Sequence, residues 1–346
     1  MDRNLVIRCN AGYRYGLGHI SRCISLVNEF SNKENYFLIK TDNRELVNSF
    51  IESLQLTFNY NIFYIDFNVS VDEDLKTVKT FVNQLNAILI LDHYDITTFY
   101  QMILKEGNIN WLQFDSHAKS NLYAQFVLHA SPGATLDLYN PLVKGEEVNL
   151  LLGPSYAIIK PEVRSLRNQV KIRESLESIV LSFGGGDDKG MTLRCIELLK
   201  KSNLNINVSF TISQVNSDKS EIEDLIANDD QFEIISQNNL SKVMSESDLS
   251  IIAPGMTSYE SVCLGVPMML ICTADNQLIN SVGWSSIGCA INLGVYTSFN
   301  EQFFRETLSV LSNNKELISN MSQKCLETVD GLGAYRVKEL IKKKYL

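Results

Sequence analysis

The chain has 346 residues, of which 45% are hydrophobic and 9% aromatic, and this is enough apolar material for two hydrophobic cores. Its net charge is -9 at pH 7 and its isoelectric point is near 5.1. We expect no nucleic-acid partner, because binding to a nucleic-acid backbone requires clustered Lys and Arg. The one basic stretch, at residues 342–344, has the position of a solvated helix end.

The amino terminus lacks a basic region followed by a sustained apolar segment, and nowhere do 18 apolar residues occur together. We therefore predict a cytoplasmic protein without stable membrane insertion, as a monomer or a weak dimer. Its seven cysteines are scattered, form no CxxC pair and fall mostly in apolar patterns. They are predicted to be free core residues in a reducing compartment, and their spacing does not favour a zinc site.

The first predicted unit is a strand, a glycine turn and a helix. An apolar run at residues 5–9 leads into a loop containing Gly16 and Gly18, after which apolar residues recur with helical spacing. His19 and Arg22 are three residues apart in the first helical turn, so both side chains project from one face beside the helix N-terminus. A doubly wound sheet binds its ligands at that edge.

These glycines do not match the dinucleotide fingerprint GxGxxG. Arg22 occupies the place of the third glycine in that pattern. Two interpretations of Gly16 and Gly18 remain open: a tight turn that lets the helix meet the strand closely, and a ligand-binding loop.

The rest of the first half alternates apolar runs with segments of helical periodicity, which indicates an α/β fold with a largely parallel sheet. The predicted strands are 36–40, 58–66, 87–92, 111–115 and 126–130. The sequence VDEDL at 71–75 has the DxD pattern with which some sugar-nucleotide transferases bind metal. It also opens a helical pattern, and helix capping with dipole compensation explains it better.

All four histidines of the chain lie at or just beyond the end of a predicted strand. They are His19, His93, His117 and His129. Because the carboxyl ends of parallel strands share one edge of a sheet, we expect the four to converge there, with Asp92 and Tyr94 as neighbours. Only His19 is singled out as a functional residue.

The segment 151–169 contains two prolines and is predicted to be the crossover between two domains. Strands and helices then alternate again, with a helix at 191–201. The predicted strands are 178–183, 206–212, 232–236, 249–253, 268–273 and 289–293.

Two loops between a strand and a helix in this half suit an anion. Gly184, Gly185 and Gly186 leave backbone N–H groups accessible, and the loop at 254–258 adds hydroxyl groups in the first helical turn. Two such loops on one sheet edge favour a diphosphate ligand. No GxxxxGK[ST] sequence occurs, so a P-loop nucleotidase is excluded.

Four segments resemble the UDP-2,4-diacetamido-2,4,6-trideoxy-β-L-altropyranose hydrolases of pseudaminic acid synthesis. They are GLGHISR, LLGPSYAIIKPE, LSFGGGDD and SDLSIIAPGMTSYESVCLGVPMMLICTADNQ, in the family's order over nearly the whole chain. The GxGHxxR and ADNQ patterns are fairly specific to that group. The remainder of the last segment is shared more widely with two-domain GT-B glycosyltransferases.

The resemblance implies an α/β protein of GT-B type, in which two Rossmann-like, doubly wound domains face each other across a cleft. The implied parts are an N-terminal domain with the catalytic base at 1–155, a crossover at 156–176, a UDP-binding domain at 177–328 and a helix returning to the first domain at 329–346. The implied partner is a UDP-sugar, with no cofactor and no metal.

The resemblance also assigns residues to the site. His19 corresponds to the general base, and Asp92 and Tyr94 to catalytic-domain residues at the sugar. Together with the glycine loops, the predicted substrate-binding residues are Gly16, Gly18, Arg22, Gly184, Gly185, Gly255, Met256, Thr257, Ser258, Glu260, Asn276, Gln277 and Asn280. Of these, Gly255 to Ser258 are expected at the diphosphate, Glu260 at the ribose and the three amides at the sugar.

Two segments depart from the family pattern. The strand ending here in Phe114-Asp115-Ser116-His117 often ends in adjacent acids in that family, and the segment 129–133 is often rich in asparagine. Both are expected on the sugar side, so the exact sugar is the least determined part of the prediction.

The predicted reaction is displacement of UDP from the anomeric carbon by water, with inversion. A neutral His19 can take the proton of the water, and we expect the helix N-terminus and Arg22 to disfavour its protonated form. A retaining mechanism would need a carboxylate nucleophile, for which Asp92 is the one candidate. The alternatives are a GT-B glycosyltransferase using a UDP-amino sugar donor and a catalytically inactive sugar-nucleotide binder.

Overall fold

The computed structural model describes residues 3–30, 33–184, 188–213 and 216–345. The strands are β1 (Leu5–Asn10), β2 (Asn35–Thr41), β3 (Tyr60–Asp66), β4 (Ile88–Asp92), β5 (Trp111–Phe114), β6 (Phe126–His129), β7 (Asn149–Leu152), β8 (Ser178–Ser182), β9 (Asn207–Phe210), β10 (Phe232–Ile234), β11 (Leu249–Ile252), β12 (Met268–Cys272) and β13 (Ala290–Val295).

The α-helices are α1 (Gly18–Val27), α2 (Arg44–Ser53), α3 (Val71–Gln84), α4 (Thr98–Glu106), α5 (Leu136–Tyr139), α6 (Pro161–Arg167), α7 (Met191–Lys201), α8 (Lys219–Ile226), α9 (Leu240–Glu246), α10 (Met256–Cys263), α11 (Leu278–Ser286), α12 (Glu301–Asn313), α13 (Lys315–Thr328) and α14 (Gly333–Tyr345).

The chain divides into two compact units. Unit 1 comprises the described residues within Met1–Ala130, Ala134–Ile158 and Leu332–Leu346, and unit 2 those within Ser131–Gly133 and Ile159–Gly331. Each unit contains one parallel sheet, and the predicted doubly wound α/β architecture is confirmed. Among the described residues, no helix combines the length and the apolar character needed to cross a membrane.

Unit 1 has a seven-stranded sheet in the order β3-β2-β1-β4-β5-β6-β7, and all neighbouring strands are parallel. Unit 2 repeats this arrangement with six strands in the order β10-β9-β8-β11-β12-β13. In both sheets the chain proceeds first to one side of the initial strand and then to the other. The topological switch points, where doubly wound sheets bind ligands, therefore lie between β1 and β4 and between β8 and β11.

The strands nearest the switch point of unit 1 are buried on both faces. On one face, Ile7 and Cys9 of β1 pack with Ile20 of α1 and Val337 of α14. On the other face, Val6 belongs to a separate core that includes residues of α3 and α4. Double-sided burial explains why these strands appear in the sequence as continuous apolar runs.

Every strand predicted from the sequence is present within a few residues, and the predicted helix at 191–201 is confirmed. Strand β7 was missed, because its four residues are followed directly by Gly153 and Pro154. The prediction that the crossover begins at residue 151 is therefore wrong, since Leu151 and Leu152 still belong to the sheet of unit 1. All seven cysteines are buried and free, as predicted.

The acidic segment 71–75 forms the start of α3, and the capping interpretation is confirmed. Ser70 and Glu73 form a reciprocal capping box. The third acid of the segment, Asp74, turns inward, where its carboxylate pairs with Arg8 Nε at 2.7 Å and accepts a hydrogen bond from the Tyr100 hydroxyl at 2.8 Å. A buried ion pair of this kind is costly to break, since its surviving partner is left uncompensated.

We expect Asp74→Ala to lower the free energy of unfolding by about 3–5 kcal/mol, because it leaves Arg8 buried without a counter-charge. Asp72→Ala is the matched control, since Asp72 lies in the same helical turn but is exposed. Asp72→Ala should lower the free energy of unfolding by less than about 1 kcal/mol. Urea denaturation followed by circular dichroism measures both, and equal effects of the two substitutions would contradict the prediction.

Candidate active site

The candidate catalytic residues meet at the switch point of unit 1. His19 lies in the first turn of α1, directly after the loop that follows β1, and Asp92 is the last residue of the neighbouring strand β4. Their side chains are in contact, with 2.6 Å between His19 Nδ1 and Asp92 Oδ1, and both residues are buried. The sequence prediction that these two residues are neighbours is therefore confirmed.

The glycine loop before α1 is shaped by backbone geometry. Gly12 has a φ of +143°, and a Cβ there would lie 1.9 Å from Oδ1 of Asp42, whose carboxylate accepts the N–H groups of Tyr13 and Arg14. Gly16 has a φ of +69° and accepts a backbone hydrogen bond from Gly12. Both positive φ values favour glycine, so the turn interpretation accounts for these two positions.

The other predicted residues of this loop have different surroundings. Gly18 is the first residue of α1 and is exposed, as is Gly16. Arg22, one turn further along, donates two hydrogen bonds of 2.5 Å to Asp92, from Nε to Oδ2 and from Nη2 to Oδ1. Its guanidinium also lies over the Phe114 ring at 4.8 Å. Arg22 is thus a partner of Asp92 in this structure.

Asp92 is an ionised carboxylate with both oxygens in use. Burial opposes its ionisation, but the charges and hydrogen bonds of Arg22 and His19 outweigh burial and hold the pKa of Asp92 well below its usual range. The same pairing raises the pKa of Arg22 against the effect of burial. With 1% of its side chain exposed, Asp92 is poorly placed to attack a substrate as a nucleophile.

The contacts of His19 determine which ring nitrogen can act as a base. Nδ1 lies 2.6 Å from Asp92 Oδ1 and 3.2 Å from Arg22 Nη2, and it cannot both donate to the carboxylate and accept from the guanidinium. We assign the proton to Nδ1, because the carboxylate contact is shorter and Arg22 already donates to Asp92. The lone pair of the neutral ring is then on Nε2.

Tyr94 connects two of the four histidines. Its ring meets the His19 ring edge to face at 4.7 Å between centroids and the His117 ring at 5.5 Å. Tyr94 is 46% exposed, so one part of this row of rings is open to solvent. The convergence expected for the histidines is therefore confirmed for His19 and His117.

The other two histidines have different partners. His93 is buried against the Tyr100 ring, and burial together with the nearby charge of Arg8 lowers its pKa well below the ordinary value. His129 Nδ1 lies 2.6 Å from the hydroxyl of Tyr139. Neither ring contacts the His19 ring directly, but His93 lies within electrostatic range of His19, and His129 within range of His117. The four histidines therefore lie near one another at this sheet edge, as expected.

Unit 2 has its own candidate site at the N-terminus of α10. Gly255 is the N-cap and supplies no side-chain cap. The Ser258 N–H donates to the Gly255 carbonyl at 3.2 Å, whereas the N–H groups of Met256 and Thr257, the first two residues of the helix, have no acceptor within it. Met256 and Thr257 form this turn and are half-buried. A Cβ on Gly255 would have no atom of the described residues within 4 Å. These amides and the helix dipole suit an anion.

Gly184 follows β8, the neighbour of β11 at the switch point, and so lies near the same sheet edge as Gly255. Its φ is +87°, and a Cβ there would also meet no atom of the part of the chain that the structure describes within 4 Å. Gly185, predicted to act with it, lies outside the described residues.

Ser258 is buried in the protein rather than open to a ligand. Its hydroxyl donates to the carbonyl of Gly255 at 2.6 Å and accepts from Trp284 Nε1 at 3.0 Å. This is a structural contact that fixes the first turn of α10, and it differs from the direct diphosphate contact expected from the sequence.

Glu260 is paired with a residue that the sequence analysis did not single out. Glu260 Oε1 lies 3.0 Å from Lys160 Nζ, and Glu260 is buried while Lys160 is partly exposed. Burial would lower the pKa of Lys160, but the charge and hydrogen bond of Glu260 raise it. Lys160 belongs to the segment LLGPSYAIIKPE, which carries part of the family resemblance and could have drawn attention to it. No pattern in the sequence, however, shows that it pairs with Glu260, 100 residues away.

The predicted amides brace the loops of unit 2. Asn280 donates to the Pro254 carbonyl at 2.9 Å and accepts from the Tyr259 hydroxyl at 3.0 Å. Gln277 Oε1 accepts the N–H of Thr273 at 2.8 Å. Asn276 lies in the same turn as Gln277 and is half-buried.

Known proteins similar to this chain are distant in sequence. It is 24% identical over 274 residues to the UDP-2,4-diacetamido-2,4,6-trideoxy-beta-L-altropyranose hydrolase of Campylobacter jejuni, which covers 79% of this chain and 93% of that protein. It is 21% identical over 234 residues to the spore coat polysaccharide biosynthesis protein SpsG of Bacillus subtilis, covering 67% of this chain and 68% of that protein. The predicted resemblance to the hydrolase is confirmed.

A third relative, an uncharacterised protein of Methanocaldococcus jannaschii, is 23% identical over 278 residues. The alignment covers 77% of this chain but 55% of that protein, so the chain spans about half the length of this relative. No family model matches the chain.

Solved structures confirm the predicted GT-B type of fold. MurG of Acinetobacter baumannii superposes with a TM-score of 0.70 at 17% identity, covering 98% of this chain and 99% of that one. A UDP-glucosyltransferase of Polygonum tinctorium superposes with a TM-score of 0.68 at 12% identity, covering 99% of this chain and 98% of that one. The UDP-GlcNAc 2-epimerase of Neisseria meningitidis, bound to UDP-GlcNAc, superposes with a TM-score of 0.63 at 15% identity, covering 98% of this chain and 100% of that one.

We expect Asp92→Asn to lower the free energy of unfolding at pH 7 by about 3–5 kcal/mol, because Arg22 loses its buried counter-charge. The pKa of Asp92 is depressed in the folded protein, so its contribution is present above the ordinary carboxylate pKa and is lost as pH falls below it. The difference between wild type and variant should therefore shrink between pH 5 and pH 3.

Chemical denaturation at pH 7, 5 and 3 measures this difference. Asp137→Asn, which changes an exposed acid of α5, is the control and should have little effect at any of the three values. A difference between wild type and Asp92→Asn that grows on acidification would contradict the assignment.

Proposed function

We propose that this protein is a UDP-sugar hydrolase, which releases UDP and a free sugar with inversion at the anomeric carbon. The substrate we infer is a UDP-linked 2,4-diacetamido-2,4,6-trideoxyhexose of L-altrose type, in pseudaminic acid synthesis. The observation that supports this most is the 2.6 Å contact of His19 with Asp92 at the switch point of unit 1. The named Campylobacter jejuni hydrolase, similar over most of its length, supports the substrate class.

In the proposed reaction His19 Nε2 takes a proton from a water molecule while the water oxygen bonds to the anomeric carbon. The bond from that carbon to the diphosphate oxygen breaks, and its electron pair leaves with UDP. Asp92 orients the imidazole through Nδ1–H and stabilises the imidazolium, as the acid of a catalytic triad does. Arg22 keeps Asp92 ionised and in place.

Inversion is supported by the state of Asp92, the carboxylate that contacts His19. A retaining mechanism requires a nucleophile that forms a bond to the sugar. Asp92 is buried, and both of its oxygens are engaged by Arg22 and His19. Direct displacement by water therefore agrees better with the contacts of this residue.

For the nucleotide, we propose that UDP binds unit 2 without a divalent cation. The amides of the first turn of α10 and the loop at Gly184 would contact the diphosphate, and the helix dipole would stabilise the charge that develops on the leaving group. Glu260 would bind the ribose with one carboxylate oxygen while Lys160 holds the other.

A glycosyltransferase is the second candidate. The likeness to MurG and to a UDP-glucosyltransferase favours it, because the same fold and the same base could act on an acceptor hydroxyl in place of water. Release of UDP from a UDP-amino sugar in the absence of any acceptor distinguishes the two: a hydrolase turns over, and a transferase does not.

We expect His19→Asn to reduce the rate of UDP release by about 10²–10⁴-fold, because asparagine can hydrogen-bond but cannot accept the proton. UDP affinity, measured by calorimetry, should be unchanged. In labelled water the wild type should place heavy oxygen on the anomeric carbon of the sugar. Near-normal turnover of the variant, or label found in UDP, would refute the mechanism.

We expect Gly255→Val to weaken UDP binding by about tenfold, because it adds a side chain directly at the N-cap of α10, where the diphosphate is proposed to approach the first amides. Gly184→Ala is a less clean test, because its φ of +87° strains alanine itself. Calorimetry should show the same UDP affinity with EDTA and with magnesium. A strict requirement for magnesium would count against metal-free binding.

A further inference from the structure

The loop after β5 is fixed by a carboxylate and contains His117. Asp115 Oδ2 accepts the N–H of Ala118 at 2.9 Å and also the hydroxyl of Tyr139. Ala118 has a φ of +50°, a left-handed conformation that costs a residue with a side chain about 1–2 kcal/mol. Such a conformation persists where its surroundings impose it, and here the Asp115 hydrogen bond does so. His117 therefore lies in a turn that a side-chain hydrogen bond closes.

The support continues into the protein through His129. A carboxylate can only accept, so Tyr139 donates its one hydroxyl proton to Asp115, and His129 Nδ1 must donate to the Tyr139 oxygen at 2.6 Å. Burial lowers the pKa of His129 to about 4, although the charge of Asp115 acts in the opposite direction. His129 is therefore neutral near pH 7, and this chain of hydrogen bonds has one proton arrangement.

The side chain of His117, in contrast to that of the buried His129, is partly exposed at the surface. It is half-buried, and its ring meets Tyr94, which also meets His19. Burial lowers the pKa of His117 below its ordinary value. The charge of Asp115 acts to raise this pKa, and the charge of Lys119 acts to lower it. A neutral imidazole offers one hydrogen-bond donor and one acceptor, which suits the amide and hydroxyl groups of a sugar.

We propose that His117 contacts the sugar part of the substrate and hydrogen-bonds to one of its acylamino or hydroxyl substituents, and so helps to determine which sugar is accepted. This inference rests on the proposed function, because it takes the sugar to lie at His19. The Tyr94 ring contacts both imidazoles, so His19 and His117 lie beside the same exposed side chain. The segment around His117 is also one of the two that depart from the hydrolase pattern.

Ring signals of the histidines test this contact without turnover. The chain has four histidines, so the His19→Asn variant has three, which can be assigned by further single substitutions. We expect UDP-2,4-diacetamido-2,4,6-trideoxyhexose to shift the His117 signal and UDP alone to leave it unchanged. His93, which packs against the Tyr100 ring, serves for comparison, and its signal should shift less than that of His117. Equal responses of His117 to UDP and to the UDP-sugar, or no response to either, would overturn the proposal.

Kinetics supply the second test. His117→Phe keeps a ring against Tyr94 but removes both hydrogen-bonding nitrogens, and we expect kcat/KM for the UDP-sugar to fall roughly tenfold, about the effect of one hydrogen bond. His117→Gln retains an amide donor and acceptor and should recover part of the loss, with UDP affinity unchanged in both variants. Wild-type kinetics in His117→Phe would refute the role.

The two proposals fail separately. If the wild type releases no UDP but the UDP-sugar still shifts His117, the hydrolase proposal fails and the sugar contact stands. If UDP is released but His117 neither shifts nor affects kcat/KM, the hydrolase proposal stands and this inference fails.

Discussion

The arrangement of unit 1 around its switch point depends on one buried carboxylate. Asp92 ends β4, and its two oxygens bind Arg22 and His19 of α1, so a single side chain fixes the helix that follows β1 to the neighbouring strand. Burying an unpaired charge here would cost several kcal/mol, whereas the bidentate guanidinium compensates it. The same contact that stabilises the packing of α1 therefore also sets the tautomer of the histidine.

Much of the fold could be predicted from the sequence, because it depends on local periodicity. Strands buried on both faces appear as continuous apolar runs, and the alternation with helices implies parallel sheets. The sheet order itself follows the doubly wound rule, which places His19 and Asp92 side by side once their strands are recognised. Strand β7 escaped because it is short and is followed by Gly153 and Pro154, so its end has the composition of a loop.

The contacts within the site were less predictable, since they join residues far apart in the chain. Lys160 and Glu260 are separated by 100 positions, and nothing local to either residue reveals the pair. The predicted serine and amides of unit 2 also have contacts that the sequence does not reveal, because Ser258 and Asn280 have suitable chemistry for a ligand and also hydrogen-bond to their own loop. Residue type and spacing locate a site, whereas the division of its polar groups between support and ligand depends on tertiary packing.

Two buried ion pairs of unit 1 show how such a division can be recognised. Arg8 and Asp74 form a cluster that is closed to solvent, because their side chains are 1% and 4% exposed. Asp74 also accepts a hydrogen bond from the Tyr100 hydroxyl, and Arg8 donates one to the Asn10 side chain. Arg22, Asp92 and His19 form a second cluster, which is not closed to solvent, because the Arg22 side chain is 19% exposed. His19 contacts Asp92 and Arg22 through Nδ1, so its Nε2 is used in neither contact. A charge cluster that ends in a group with unused hydrogen-bonding capacity at a switch point can act on a ligand, whereas a cluster of the same composition that is closed to solvent stabilises the fold.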